Sequence, residues 1–378
     1  MFSMIYLDNA STSFPKAPSV AERVFTFLKE NGRNINRTAS EKSYETVSDL
    51  ISLREDIARL VAHSGEDTVF LNSGLTESIN TVLRGFLKRG DHIIIGACEH
   101  NAVMRTISSI GLNYSFPTTD GSGRNMLDEI PSLKNERTKA IVFSIASNVT
   151  GVNEDVEKLA TIASHLRLPL IIDTAQALPY VDIKMDDAGI SALCFSGHKG
   201  LLGPEGTGGF VAEKSFAEKL RPLLTGGTGS FSDSYEQPEL FPDKFESGTR
   251  NLPGLYGLAA SVRYVKDNLE TLRAREKRNT MRLLEGLLKI DTITVHGALD
   301  ENRNSVISIS AKRMDNAELA ASLLNKHGIE SRVGLHCAAT AHKAIGTYPG
   351  GTIRLSAGPF TKDDEIDEAL IAIREESR

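Results

Sequence analysis

The chain has 378 residues, too many for one ordinary core and suited to a large domain with a smaller one. Apolar residues at 40% and charged residues at 24% are those of a globular protein, and no apolar run approaches the roughly 18 residues of a membrane span, so no membrane partner is expected. The net charge of −6, with lysines and arginines scattered among acids, excludes a nucleic-acid partner gripped through phosphates and favours a small-molecule substrate.

The N-terminal segment through Asp8 carries no basic region followed by a long apolar stretch, so neither a secretory signal nor a transit peptide is readable, and the cytoplasm is the default address. From about residue 15 to 250, short apolar runs at 68–71, 92–95, 140–145, 170–172, 191–195 and 208–211 alternate with helix-period segments such as 77–88 and 154–167. That alternation predicts an α/β domain with a buried, mainly parallel central sheet and crossover helices, over residues 15–251. Residues 222–251 interrupt it with Gly226-Gly-Thr-Gly229 and three prolines, a length of irregular chain that is usually functional or disordered. A long helical connector is predicted from 253 to about 288. Shorter alternation follows, with extended pieces at 292–295, 305–309, one ending near Arg332, and 352–355, and helices at 316–327 and from 361. Residues 1–14 and 252–378 are assigned to a smaller α+β domain that carries the Cys337 loop.

In chain order, the first chemical candidate is Asn72-Ser-Gly74-Leu75-Thr76-Glu77, which follows a strand and opens a helix. It offers small residues, free backbone donors and a hydroxyl where a phosphate can sit. His100, just past another strand end, could lay its imidazole on an aromatic cofactor ring or be an ordinary loop residue. Asn148, in Ser144-Ile-Ala-Ser-Asn148, could bond a cofactor hydroxyl or a substrate, or simply precede the turn at Gly151. Asp173 closes the run 170–172, so its carboxylate emerges at the carboxyl end of a strand, where open sheets bind ligands. Ser196-Gly-His198-Lys199 ends the run 191–195 with one lysine among small residues and hydrogen-bond donors. One crossover and one further strand separate Asp173 from Lys199, so both reach the same sheet edge. Pyridoxal phosphate needs that pair: a lysine for its aldehyde and a carboxylate to keep its ring nitrogen protonated. Ser196 and His198 add donors to the phosphate turn.

The three cysteines have no C-x-x-C spacing, so neither a disulfide framework nor a metal site is indicated. Cys194 reads as a buried small hydrophobe, and Cys98 as either buried or lining a site. Cys337, in Arg332-Val-Gly-Leu-His-Cys337, would be presented on a mobile, accessible loop, with His336 and Arg332 favouring the thiolate, although a cysteine taken alone reads as structural. Arg354 could clamp a substrate carboxylate or form a surface salt bridge.

These pieces in this order resemble the cysteine desulfurases of the class V aminotransferase superfamily, fold type I pyridoxal phosphate enzymes. The matching stretches are Tyr6-Leu-Asp-Asn-Ala-Ser-Thr12, Gly74-Leu-Thr-Glu77, Glu99-His100-Asn-Ala, Ser147-Asn-Val-Thr-Gly151, Asp173-Thr-Ala-Gln176, Ser196-Gly-His-Lys199, Gly203-Pro-Glu-Gly206, Phe245-Glu-Ser-Gly-Thr249 and Arg332 through Cys337. The resemblance implies that Lys199 holds the cofactor aldehyde, Asp173 pairs with the ring nitrogen, Gln176 contacts the phenolic oxygen and His100 stacks on the ring and serves catalysis. Gly74, Leu75, Thr76, Ser196 and His198 would hold the phosphate. It also implies a homodimer with interface active sites, Gly248 and Thr249 reaching the neighbour's phosphate. Asn148, Arg354, Arg332, Asn9 and Ala10 would orient the substrate.

The implied reaction converts L-cysteine to L-alanine, with sulfur left on Cys337 as a persulfide for an acceptor protein, iron–sulfur cluster assembly being one such use. The short Arg-x-Gly-x-His-Cys-Ala form is similar to group II desulfurases and selenocysteine lyases. It departs from them at Leu335, where many have a second histidine, and at Thr361-Lys362, where the family usually has Asn-Thr. Selenocysteine lyase, cysteine or cystine β-lyase and aminotransferase activities of the same lysine, and an idle cofactor-binding or sulfur-relay scaffold, are the competing readings.

Overall fold

The computed structural model describes residues 4–32, 35 and 41–378. In chain order its strands are β1 (Ile5–Tyr6), β2 (Val69–Asn72), β3 (His92–Ile95), β4 (Asn113–Ser115), β5 (Thr138–Ser144), β6 (Leu170–Asp173), β7 (Ala192–Ser196), β8 (Gly208–Ala212), β9 (Ile293–His296), β10 (Val306–Ala311), β11 (Ile329–Glu330), β12 (Arg332–Gly334) and β13 (Thr352–Ser356). β2 to β8 form one seven-stranded sheet in the order β2-β8-β7-β6-β5-β3-β4. Neighbours from β4 to β7 are parallel, while β8 runs antiparallel to both β7 and β2.

The reversal at β8 has a local cause. Parallel strands need a crossover of a dozen or more residues. The connection from β7 to β8 is shorter, carries no helix and is drawn tight by Gly197 N–H to Thr207 O (2.9 Å) and Gly203 N–H to Gly197 O (2.8 Å). Because β8 is reversed on both sides, β2 points the same way as the parallel set, and the carboxyl ends of β2, β3, β5, β6 and β7 share one edge.

The sheet is buried on both faces, which is why its strands read as continuous apolar runs. Along β5, Ile141 and Phe143 join one hydrophobic cluster and Ala140 and Val142 the other. Phe143 and Phe195 are fully buried, each worth about 1.5–3 kcal/mol relative to exposure. The crossover helices Leu75–Phe86, Asn101–Ile110 and Val156–Leu166 cover these faces. The first begins directly past the end of β2, and Asp155 caps the last by accepting from Lys158 N–H at 2.9 Å.

Beyond residue 251 the single connector expected from sequence is two helices, Leu252–Asp267 and Leu269–Leu287, meeting at Asn268. The Asn268 side chain donates to Tyr264 O at 2.8 Å, a local bond that competes with the helical ladder. A separate core joins Ile5 and Leu7 to Leu283, Leu287, Ile307, Ile353 and Ile373. Over it lies the antiparallel sheet β12-β13-β10-β9, while β1 pairs parallel with β11 and Asp8 bridges Ser356. The N-terminal strand therefore packs with the C-terminal third of the chain. Residues 220–251 contain no helix or strand. Among the described residues no helix is long and apolar enough to cross a membrane.

Candidate active site

A cavity of about 230 Å³ opens at the shared carboxyl edge, and Lys199 is in its wall. Lys199 stands three residues past β7 and is half-buried as a residue. Its ammonium pKa is drawn down to about 8, first by desolvation and then by the charges of Arg354 and Arg332, against the pull of Asp173 and Cys337. An amine so placed has a substantial neutral fraction near neutral pH, the form that condenses with an aldehyde.

Asp173, the last residue of β6, is 4% exposed and its Oδ1 accepts from Ala175 N–H at 2.9 Å. Burial raises its pKa, while the Ala175 amide, the Lys199 charge and the Ser144 hydroxyl oppose that rise. His100 caps the helix Asn101–Ile110, its Nδ1 accepting from Ala102 N–H at 3.0 Å. Burial, then Lys199 and Arg332, lower its pKa to about 4, so the imidazole is neutral, and the occupied Nδ1 leaves the proton on Nε2.

Opposite them, Gly74 starts the helix Leu75–Phe86 with φ 137°, a conformation for glycine, and no side chain caps it. The first N–H groups of a helix have no partner within it, so Leu75 and Thr76 present donors and a positive dipole end to the cavity. The turn lies so close to β8 that a Cβ on Gly208 would stand 2.6 Å from Gly74 Cα. Ser196 and His198 complete this side, and His198 Nδ1 is buried without a hydrogen-bond partner. An orphaned ring nitrogen beside a helix start is a site short of a ligand. The donor set, the buried carboxylate and the lysine fit a group that carries a phosphate, a basic ring nitrogen and an aldehyde.

Not every residue picked from the sequence lies in this wall. Gln176 lines the cavity, with its amide donating to Ala10 O at 2.8 Å. Ala10 N–H in turn bonds Ser356 Oγ at 2.9 Å, and Asn9 bonds Ser356 O at 3.1 Å, beside a smaller cavity behind Lys199. Arg354 is 1% exposed and forms a partly buried ion pair with Asp8 Oδ1 (2.8 Å), plus a bond to Ser11 Oγ (2.7 Å), while its Nε has no partner. Asn148 lines the cavity, yet its Nδ2 is committed to the carbonyl of His336 at 2.7 Å. Gly248 and Thr249 lie outside the Lys199 cavity and line another, with Arg54, Glu246 and Arg250.

Cys337 is exposed, and Arg332 Nη2 donates to its Sγ at 3.6 Å. Two expectations about this loop are corrected. The His336 imidazole is buried, bonded through Nε2 to Thr352 O at 3.0 Å, and desolvation with Arg354 lowers its pKa to about 3, so it brings no positive charge to the thiol. The loop, expected to be mobile, is tied down by Asn148 to His336 O, Asn101 N–H to Cys337 O (2.7 Å) and Thr340 Oγ1 to Glu99 O (3.0 Å). Cys194 is fully buried, and Cys98 is both buried and part of the cavity wall.

Two residues at the site had no role assigned from sequence. Ser144 ends β5 beside Asp173, and Glu99 is 1% exposed with its Oε2 2.6 Å from Ser144 Oγ. The available signal was an acid directly before His100, past an apolar strand.

The chain matches the aminotransferase class-V family over residues 5–369. It is 29% identical over 371 residues to a probable cysteine desulfurase of Methanothermobacter thermautotrophicus, covering 96% of this chain and 92% of that protein. A cysteine desulfurase of Haloferax volcanii is 27% identical over 382 residues, covering 98% of this chain and 88% of that one. Among solved structures, the apo cysteine desulfurase from Thermococcus onnurineus NA1 is similar with a TM-score of 0.90 and 27% identity, covering 98% of this chain and 94% of the other.

Proposed function

The chain belongs to the aminotransferase class-V family, whose cofactor is pyridoxal phosphate, and on that premise we propose that it is a cysteine desulfurase that takes L-cysteine to L-alanine. The observation that carries this reading is an exposed thiol, Cys337, with a guanidinium donating to its sulfur, on a loop fastened through Asn101 and Asn148 to the rim of the Lys199 cavity. When bound, pyridoxal phosphate supplies an aldehyde for the substrate amine and a ring that accepts the electrons freed at the α-carbon. Leu75, Thr76, Ser196 and His198 would hold its phosphate, and Asp173 its ring nitrogen.

The chain's own residues do the rest. Lys199 Nζ would hold the cofactor aldehyde and, once free as an amine beside the substrate, would take the α proton. Neutral His100 adds no charge beside the ring and offers Nε2–H as a donor. Arg354 and Arg332 are the cations available to a substrate carboxylate. The Cys337 thiolate attacks the substrate sulfur, forming an S–S bond as the carbon–sulfur bond breaks with its electron pair on carbon. That carbon takes a proton and becomes the methyl group of alanine, and Cys337 keeps the sulfur as a persulfide within reach of an acceptor protein. Gly248 and Thr249, outside this chain's own lysine cavity, suit contact with a second copy's cofactor in a homodimer.

The test is one incubation with L-cysteine, reading alanine, sulfide and the mass of the Cys337 peptide. A desulfurase gives alanine and a peptide heavier by one sulfur; a β-lyase gives sulfide and pyruvate, and an aminotransferase neither alanine nor persulfide. Cys337→Ser should keep the cofactor absorbance and lose alanine output, and unchanged alanine from that variant would refute the mechanism.

A further inference from the structure

Arg332 and Arg354 face each other across β12 and β13, an unfavourable place for two like charges. Arg354 is offset by Asp8, 2.8 Å from its Nη2, whereas no carboxylate pairs with Arg332 among the described residues. Arg332 instead donates from Nη1 to Ser11 Oγ at 3.1 Å and from Nη2 to Cys337 Sγ at 3.6 Å. Ser11 Oγ also accepts from Arg354 Nη2, at 2.7 Å, so both of its lone pairs are filled by guanidinium donors.

A thiol sulfur accepts weakly, so the oxygen is the firmer of the two holds on Arg332. The guanidinium is a rigid planar fork whose stem leaves β12, and fixing Nη1 therefore fixes where Nη2 points. The oxygen itself is well anchored. Its turn is closed by Ser11 N–H to Asp8 O at 3.0 Å and fastened to β13 by Ala10 N–H to Ser356 Oγ at 2.9 Å. Two residues after Ser11, Ser13 N–H donates to His198 O at 2.9 Å, beside Lys199. One short segment thus touches both the lysine loop and the thiol loop.

We propose that Ser11 is a positioning residue: its hydroxyl oxygen aims the cation of Arg332, which has no counter-charge of its own, at the Cys337 sulfur. The aim of Arg332 is a property of the protein alone, whereas its service to persulfide formation rests on the cysteine desulfurase reading.

Two reagents that exchange with thiols, a dicarboxylate aromatic disulfide and a neutral dipyridyl disulfide, test the two parts separately from turnover. Cys98 and Cys194 are buried, so both reagents report on Cys337. A cation held at the sulfur draws in the anionic reagent. Ser11→Ala should lower its rate relative to the neutral one by about fivefold, the effect of one unit charge near 4 Å in water-like surroundings. Ser11→Thr, which keeps the hydroxyl, should retain the preference. Arg332→Met should lose at least as much of it as Ser11→Ala, and the double variant no more than Arg332→Met alone. A turn that was merely loosened would change both rates alike, so an unaltered ratio in Ser11→Ala, or a further drop in the double variant, would overturn the proposal. With L-cysteine, a single turnover of Ser11→Ala should form the persulfide about tenfold more slowly at unchanged cofactor absorbance, the loss of one hydrogen bond to a charged group. Wild-type speed in that variant would overturn the service to catalysis, and a wild type that forms no persulfide would overturn the desulfurase reading while leaving the reagent result to stand.

Discussion

Lys199 stands just past the end of β7, in a sheet buried on both faces, whereas Cys337 sits on an exposed turn between β12 and the helix Ala339–Ala344. Cys337 and His336 both take left-handed backbone conformations, φ 59° and 48°, which cost non-glycine residues about 1–3 kcal/mol each. Hydrogen bonds from Asn148 and Asn101 to the two carbonyls offset that strain. The lysine region contains groups whose charges burial has shifted: Lys199 and His100 down, Asp173 and Glu99 up. The thiol loop has a cation at hydrogen-bonding distance and open access instead. Chemistry on a cofactor needs a dry, rigid shelf, and handing sulfur to a second molecule needs a sulfur that can be reached.

The largest test of that division is Lys199→Ala. It should remove the visible cofactor band and lower alanine formation by at least about a thousandfold, while leaving the Cys337 thiol titratable by an added disulfide reagent. Arg332→Met acts on the other region. Losing a charged donor to sulfur should slow persulfide formation by about 10–100-fold with the cofactor band unchanged, read by single-turnover mass analysis of the Cys337 peptide.

A third test uses pH. The folded pKa of Lys199 lies below its usual value, so the neutral amine gains as pH rises and levels off above about 8. Cofactor uptake by the empty protein should therefore quicken by nearly tenfold for each pH unit below that point, and be flat above it. A rate independent of pH across this range would contradict the buried setting of the amine. The smallest effect belongs to the clasp: Asn148→Ala should cost about 1 kcal/mol of loop anchoring and reduce alanine formation several-fold, detectable as faster hydrogen exchange at Ala338.

The strands and crossover helices of the large sheet were legible because strands buried on both faces must be apolar runs, and each active residue follows such a run at a turn. Asp173, Lys199 and the Gly74 turn announce themselves in this way. Less visible was what happens between elements. The reversed β8 depends on how tightly Gly197 and Gly203 fold back, and the break at Asn268 on one side-chain bond, neither of which has a periodic signature. The His336 side chain had two plausible directions, and its burial against Thr352 came from packing with β13. Asn148 likewise reads as a donor aimed at a ligand until the carbonyl it meets, nearly two hundred positions later, is located. Glu99 carries no pattern of its own, and its partner Ser144 comes from the end of a neighbouring strand, forty-five positions later.

Sequence order alone specifies an α/β sheet with its carboxyl ends loaded with a lysine, an aspartate, a histidine and a phosphate-ready helix start, because hydrophobic period and turn chemistry are local properties of the chain. Protonation and orientation are not local. How far burial shifts Lys199 and Glu99, which way His336 turns and what anchors the Cys337 loop depend on desolvation and on hydrogen-bond partners brought from distant segments, and those exist only once β3, β5, β6 and β13 have assembled around them.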